Sequence, residues 1–124
     1  MTTQEKVMTT QEVANRLVEL CRKSDVLQAQ EELFADNVSS IEPAGSPTPV
    51  VNSKAAVLEK GKQFAAIIEE VHGNEISDPV VAGNRFAVSW MFDVTMKGQG
   101  RQKMEEICLY DVKDGKIVSE QFFM

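Results

Sequence analysis

The sequence predicts a single α+β domain in which N-terminal helices pack on a strongly curved antiparallel sheet. Two observations predict this class. Apolar residues recur with the 3.6-residue period of helices in most of the chain before about residue 70. After that point they alternate with the period of two that is typical of strands. Helices that precede a run of antiparallel strands are expected to cover one face of the sheet.

The first two helices are predicted close together. Thr9 and Glu12 have the spacing of a capping box, so the first helix is expected over about 10–23. A second helix is expected over about 25–35. The connection between them is short, which makes the two helices packed neighbours.

A third helix is predicted over about 53–69, with Ser53 as its cap. Gly61 lies on the apolar stripe of this helix, which predicts close packing against a neighbouring element. The stripe is expected to be buried and contains Val57, Leu58, Phe64, Ala65 and Ile68.

The predicted strands cover 38–42, 71–82, 85–97, 102–113 and 116–123. The dipeptide Asp78-Pro79 is expected to break the second of them, because proline cannot donate a backbone hydrogen bond. Asp114-Gly115 predicts a two-residue hairpin before the last strand. The long strand 85–97 has an apolar face of Phe86, Val88, Trp90, Phe92, Val94 and Met96.

Composition limits the function classes. The net charge is −6 and the basic residues are scattered, so nucleic-acid binding is not expected. No apolar run approaches the roughly 20 residues of a membrane span. The cysteines, Cys21 and Cys108, are far apart, and the polar N-terminus lacks the apolar region of a signal peptide, so we expect a cytoplasmic protein with reduced thiols. We expect residues 1–8 to form a flexible extension and 9–124 a single domain.

Histidine-based metal sites and triads are not expected, because His72 is the single histidine. Acid–base chemistry would therefore depend on carboxylates, tyrosine or lysine. We predict no metal and no cofactor.

The order of elements and three short segments resemble the SnoaL-like branch of the nuclear-transport-factor-2-like superfamily over about residues 10–124. The segments are 33–38 (LFADNV), 41–43 (IEP) and 114–118 (DGKIV). The resemblance implies a cone-shaped, cystatin-like roll with a small-molecule pocket and a homodimer. The family includes polyketide cyclases, ketosteroid isomerases, dehydratases and members without a known activity.

The resemblance to ketosteroid isomerases implies catalytic carboxylates. The general base of those enzymes is an acid just before a proline, and Glu42 before Pro43 matches it. Their neutral carboxylic acid matches Glu106 if the last hairpin is one residue longer here, and Ile107 otherwise. The position of their helix tyrosine is taken by Leu17.

Each candidate has a structural alternative. Glu42 is a base or a solvated acid at a strand end. Glu106 is a pocket acid, a structural hydrogen-bonding group or a dimer contact. On its strand it shares one face with Met104, Cys108 and Tyr110, and across the hairpin with Ile117, Ser119, Gln121 and Phe123, while Glu105 points away. The predicted ligand-lining residues, which can equally be core, are Tyr110, Trp90 and Phe64.

Three functions are compatible with these residues. The first is proton transfer at carbon next to the carbonyl group of a small apolar molecule, of isomerase, cyclase or dehydratase type. The second is a non-catalytic ligand-binding module, which the leucine at position 17 and the missing strand histidine favour. The third is a protein-interaction domain with a filled interior.

Overall fold

The computed structural model of the chain describes residues 7–124, and in that range it contains three helices and seven strands. The predicted α+β class is confirmed. In chain order the elements are α1 Thr10–Arg22, α2 Val26–Leu33, β1 Phe34–Ile41, β2 Val50–Asn52, α3 Lys54–Ile67, β3 Ile68–Ile76, β4 Val80–Ala82, β5 Arg85–Met96, β6 Gly100–Lys113 and β7 Lys116–Phe123.

The predicted start of α1 is confirmed. The side chain of Thr9 accepts a hydrogen bond from the backbone N–H of Glu12, and the Glu12 carboxylate accepts one from the N–H of Thr9. These reciprocal bonds satisfy two donors that a helix start otherwise leaves unpaired. One face of the helix is buried in the core through Val13, Ala14, Leu17, Val18, Leu20 and Cys21.

Helix α3 packs closely on α2 at Gly61, as predicted. A Cβ atom at this position would lie 3.0 Å from Leu27 Cδ2 and 3.1 Å from Gln30 Oε1. The predicted burial of the whole α3 stripe is wrong, however. Val57 is buried, but Ala65 is exposed and Ile68 already belongs to β3. The reason is that α3 turns directly into a strand, so its last turn lies away from the core.

The sheet has the order β2-β1-β7-β6-β5-β3, and β4 pairs with β5. Neighbours are antiparallel except β1 and β7, which are parallel, so the sheet is mixed rather than purely antiparallel. The predicted break before Pro79 separates β3 from β4. Register shifts interrupt the β1–β7, β3–β5 and β6–β7 pairs. Irregularities of this kind bend strands and increase their twist.

The helices cover one face of the sheet, which we call the inner face. The predicted apolar face of β5 is confirmed, since Phe86, Val88, Val94 and Met96 are buried. Along β6 the alternation places Cys108, Tyr110 and Val112 on the inner face. The opposite, outer face carries Glu105 and Ile107, both exposed.

A bulge in the last hairpin corrects one prediction. The turn at Asp114-Gly115 is confirmed, with Val112 opposite Ile117, but Asp111 lies opposite Ser119. Val118 is therefore an extra residue in β7. The predicted inward set of Ser119, Gln121 and Phe123 is wrong, because an inserted residue reverses the side-chain alternation beyond it. Glu120 takes the inward position and is buried.

No helix among residues 7–124 is long and apolar enough to cross a membrane. Of the predicted extension 1–8, residues 1–6 lie outside the described residues. Met8 packs against the core, and Val7 and Met8 lie beside Gly115 in the last hairpin turn.

Candidate functional site

A chain of polar side chains crosses the inner face from the end of β1 to β7. Lys60 Nζ donates to Glu42 Oε1 at 2.9 Å and to Ser40 Oγ at 3.0 Å. The Ser40 hydroxyl in turn donates to Glu120 Oε1 at 2.7 Å. Four side chains from three elements are therefore connected by short hydrogen bonds.

Local structure positions each of these four side chains. Glu42 directly follows β1, and its backbone N–H donates to the carbonyl of Pro49 at 2.8 Å, which closes the loop between them. Ser40 lies two residues earlier on the strand, so both side chains lie on one side of it. Lys60 lies three residues after the buried Val57 on α3 and therefore on the same helix face.

Glu120 is more deeply buried than Glu42, the other carboxylate in this cluster of four hydrogen-bonded side chains, with 4% of its surface exposed. It lies beside Ser40 in the parallel β1–β7 pair. Burial raises the pKa of Glu120 from 4.5 to about 7, because a charged carboxylate is poorly solvated there. The Ser40 hydrogen bond and the Lys60 charge lower this pKa, while the charges of Glu42 and Glu106 raise it.

Glu106 is the second carboxylate whose pKa is raised to about 7. Burial is the main cause, and the negative charge of Glu42 adds to it. The thiol of Cys108 lies 3.8 Å from Glu106 Oε1 and donates a weak hydrogen bond. The negative charge of Glu42 therefore acts on Glu106, which lies on the inner face, whereas Ile107 lies on the outer face.

Tyr110 is part of the core. It is buried with its ring stacked on Phe86, at a centroid distance of 4.8 Å. Burial raises its pKa well above 10. This position favours the packing alternative for Tyr110 over a role in holding a ligand.

Trp90 lies beside Glu106 and is connected through Phe92 to Phe64. Trp90 is directly opposite Glu106 in the β5–β6 pair, and its indole N–H donates to Asn74 Oδ1 at 2.7 Å. The Trp90 ring meets Phe92 edge-on at 6.4 Å, and Phe92 lies 6.3 Å from Phe64. This group supplies an apolar wall next to a carboxyl group, although a ligand-binding role for Trp90 and Phe64 remains a prediction.

Sequence reasoning missed three members of the cluster: Ser40, Lys60 and Glu120. Ser40 and Lys60 could have been found from the sequence. Ser40 lies two residues before Glu42 on the same strand, and Lys60 lies one helical turn beyond Val57. Glu120 could not have been found in this way, since its inward direction depends on the bulge at Val118.

The pKa of Cys21 is raised to about 12 by burial, and Cys21 and Cys108 are free thiols.

Two open clefts lie on the surface of the described residues. One of about 360 Å³ lies against the middle of β5 and β6, where β7 ends at Phe123 and Met124, and its lining includes Trp90 and Glu106 but not Glu42. A second of about 420 Å³ lies between α1 and Asp78-Pro79. Within the described range 7–124, no three His, Cys, Asp or Glu side chains are grouped to hold a metal ion.

Comparison with known proteins identifies a family. The sequence profile of the SnoaL-like domain matches residues 8–124. A crystal structure from Mesorhizobium loti, provisionally described as a SnoaL-like polyketide cyclase, is 38% identical with a TM-score of 0.89, over 94% of this chain and 100% of that chain. Comparison with curated proteins gives no match.

Two more distant structures share the fold. A protein with a cystatin-like fold from Xanthomonas campestris is 18% identical with a TM-score of 0.79, over 94% of this chain and 90% of that chain. A protein with a ketosteroid-isomerase-like fold from Catenulispora acidiphila, in complex with trimethylamine, is 17% identical with a TM-score of 0.72, over 91% and 85%.

Proposed function

This chain belongs to the SnoaL-like domain family, and we propose that it binds a small carbonyl compound on the inner face and moves a proton at the adjacent carbon. The observation that carries the proposal is the pair Glu42 and Glu106. One is a half-buried carboxylate at a strand end, and the other is a carboxyl group whose pKa of about 7 lies near neutral pH. General acids and bases work best when their pKa lies near the working pH.

The two carboxyl groups have different roles in this proposal. Glu42 removes the proton from carbon, and Lys60 holds its carboxylate in place through Oε1. Glu106, in its protonated form, donates a hydrogen bond to the carbonyl oxygen as negative charge develops there. A carboxylic acid kept neutral by an apolar environment can act in this way. The reaction needs no metal and no redox cofactor, because the proton leaves and returns through carboxyl groups.

The substrate class follows from the surroundings of Glu106. Trp90 provides aromatic surface beside the acid, and Phe92 and Phe64 extend it, which suits an apolar cyclic or conjugated ketone. The relative from Mesorhizobium loti is provisionally described as a polyketide cyclase, and polyketides are carbonyl compounds with acidic C–H groups. This description supports the same chemistry here.

A second candidate is a non-catalytic binding module. Leu17 stands where ketosteroid isomerases carry a tyrosine, and Tyr110 is stacked on Phe86 inside the core. The phenol that would complete an oxyanion-binding pair is therefore not provided by either position. In this case a ketone would bind on the inner face and leave unchanged.

Homodimer formation and a cytoplasmic location complete the proposal. The outer face exposes Ile107 by 47%, Phe123 by 46% and Met124 by 72%, and apolar surface of this kind favours pairing of two sheets. The free thiols of Cys21 and Cys108 suit a reducing compartment.

The proposal is tested by hydrogen–deuterium exchange. A panel of small cyclic ketones is incubated with the protein in D₂O, and loss of the α-proton signal is followed by NMR. We expect Glu42→Gln and Glu106→Gln each to slow exchange by about 100-fold or more, in the range of general acid–base catalysis. Glu105→Gln is the matched control, because Glu105 is the neighbour of Glu106 on the exposed outer face.

The outcomes separate the two candidates. Full exchange activity in the Glu42→Gln variant, with circular dichroism unchanged, contradicts the catalytic proposal. A ketone that raises the melting temperature of the wild type but is recovered without deuterium identifies a binding module.

A further inference from the structure

We propose that Lys60 and Ser40 form a proton relay between Glu42 and Glu120, so that Glu120 stores the proton that Glu42 takes from the substrate. This inference rests on the proposed function and adds a residue that the chemistry at Glu42 and Glu106 does not use. It identifies Glu120 as a proton store that does not touch the substrate.

Hydrogen bonds connect the members of the relay, and those from Lys60 to Glu120 point in the required direction. Lys60 Nζ bridges Glu42 Oε1 and Ser40 Oγ at 2.9 and 3.0 Å, and the Ser40 hydroxyl donates to Glu120 at 2.7 Å. From Lys60 onwards each donor faces the next acceptor, towards Glu120. Lys60 also donates to Glu42, so its ammonium group must lose a proton to Ser40 before the nitrogen can accept one from Glu42.

The transfer balances. The Lys60 ammonium passes one proton to Ser40 Oγ while the Ser40 hydroxyl proton moves to the Glu120 carboxylate. The neutral Lys60 amine then turns about its Cε–Nζ bond and accepts the proton that Glu42 took from the substrate. The result is an ionised Glu42, a protonated Glu120, and an unchanged Lys60 ammonium and Ser40 hydroxyl. The reverse sequence returns the proton for delivery to the product.

The location of Glu120 suits a store. A carboxyl group whose pKa lies near 7 gains and loses a proton at little cost at neutral pH. Glu120 is 4% exposed, so water does not compete for its proton as it would at the surface. The titratable groups that face Glu120 come from β1, α3, β6 and α1, and they are Glu42, Lys60, Glu106, Cys108, Tyr110 and Cys21.

A purely structural role explains this arrangement less well. A buried ionisable group is costly to a fold, and apolar residues of similar volume commonly replace such groups without loss of stability. Here the buried acid is connected by two side chains to a carboxylate at the rim. The connection gives the acid a path to the site where the proton is released.

The first test needs no substrate. The carboxyl ¹³C resonance of Glu120 is titrated by NMR in the wild type and in the variants Ser40→Ala, Ser40→Thr and Lys60→Met. We expect both Ser40→Ala and Lys60→Met to raise the Glu120 pKa, because the first removes a hydrogen bond and the second a positive charge. The lost hydrogen bond should raise the proton affinity about tenfold. Ser40→Thr keeps the hydroxyl and restores the wild-type value.

Matched controls separate local from general effects. Ser39→Ala changes the adjacent serine, whose hydroxyl donates to Asn52 on the other side of β1, and Lys62→Met changes an exposed lysine of α3. Neither change should move the Glu120 titration. If Ser40→Ala folds poorly, Lys60→Met alone decides, because Lys60 is half-exposed. An unchanged Glu120 titration in Lys60→Met overturns the relay.

The second test is the pH profile of ketone exchange. Glu120 can accept a proton only when it is ionised, so the exchange rate should rise with pH through about 7. Glu120→Gln should remove this rising limb of the pH profile. Ser40→Ala should move the rising limb to higher pH and leave the falling limb, which belongs to protonated Glu106. A pH profile that Ser40→Ala and Glu120→Gln leave unchanged overturns the relay while exchange itself upholds the proposed function. An inactive wild type overturns the proposed function and the relay with it, and a Glu120 titration that still responds then shows only that the hydrogen bonds exist.

Discussion

Tyr110 and Glu120 lie directly opposite each other in the β6–β7 pair, and both side chains are buried on the inner face. Without the extra residue Val118, Ser119 would take the place opposite Tyr110 and Glu120 would point outward. The bulge therefore decides that a carboxyl group enters the core. This placement has consequences for stability as well as for the proposed chemistry.

Glu120→Gln should weaken the pH dependence of stability. The pKa of Glu120 is about 7 in the folded chain against 4.5 when unfolded, so between these values the folded state binds more protons. The unfolding free energy of the wild type should therefore fall as pH rises from 4.5 to 7, by at most about 3 kcal/mol from this group. Urea unfolding at pH 5 and pH 8 measures the change. An equal pH dependence in Glu120→Gln and wild type contradicts the prediction.

Glu42→Gln should lower the pKa of Glu106. The charge of Glu42 raises this pKa in the wild type, so a neutral side chain at position 42 removes part of the increase. Titration of the Glu106 carboxyl ¹³C resonance gives the answer, and Glu105→Gln serves as control. If Glu106 titrates identically with and without the Glu42 charge, the two groups do not share a site.

Gly61→Val should destabilise the chain by about 1–3 kcal/mol, the usual cost of overpacking. The cause is the close approach of α2, since a new Cβ would lie 3.0 Å from Leu27 Cδ2 and 3.1 Å from Gln30 Oε1, closer than ordinary van der Waals contact. Ala65→Val is the matched control, since Ala65 is exposed on the same helix. Denaturant unfolding compares the two, and equal stability losses argue against tight α2–α3 packing.

Asn74→Ala should cost about 1–3 kcal/mol of stability, because two polar partners lose their hydrogen bonds. The Asn74 amide donates to the carbonyl of Cys21 at 2.9 Å and accepts from the Trp90 indole at 2.7 Å. Asn37→Ala, at an exposed position of β1, should cost much less. Thermal unfolding together with Trp90 fluorescence measures both effects. An Asn74→Ala variant as stable as Asn37→Ala is the contrary result.

Ile107→Glu should convert a wild-type dimer into a monomer. A charge placed in the exposed apolar patch of Ile107 and Phe123 would be buried without a partner in a sheet-to-sheet interface. Sedimentation velocity reports the oligomeric state, and Lys62→Glu, at an exposed position of α3 on the helix side of the sheet, is the control. A wild type that sediments only as a monomer contradicts the proposed dimer.

Local interactions explain why much of the fold could be predicted. The capping box of Thr9 and Glu12 and the turn at Asp114-Gly115 involve residues close together in the chain, so their patterns are visible in the sequence. The α+β class and the apolar face of β5 depend on periodicity, which is local as well. Glu42 and Glu106 were predicted through family resemblance rather than through any local pattern.

The sequence by itself therefore determined the class of the domain, most of its elements and two of its candidate carboxylates. Only the tertiary structure decided that β1 runs parallel to β7, that Val118 is a bulge and that Lys60, Ser40 and Glu120 meet. These features depend on which strands pair and in which register. Pairing joins residues 80 positions apart, such as Ser40 and Glu120, and no periodic pattern in the chain records it.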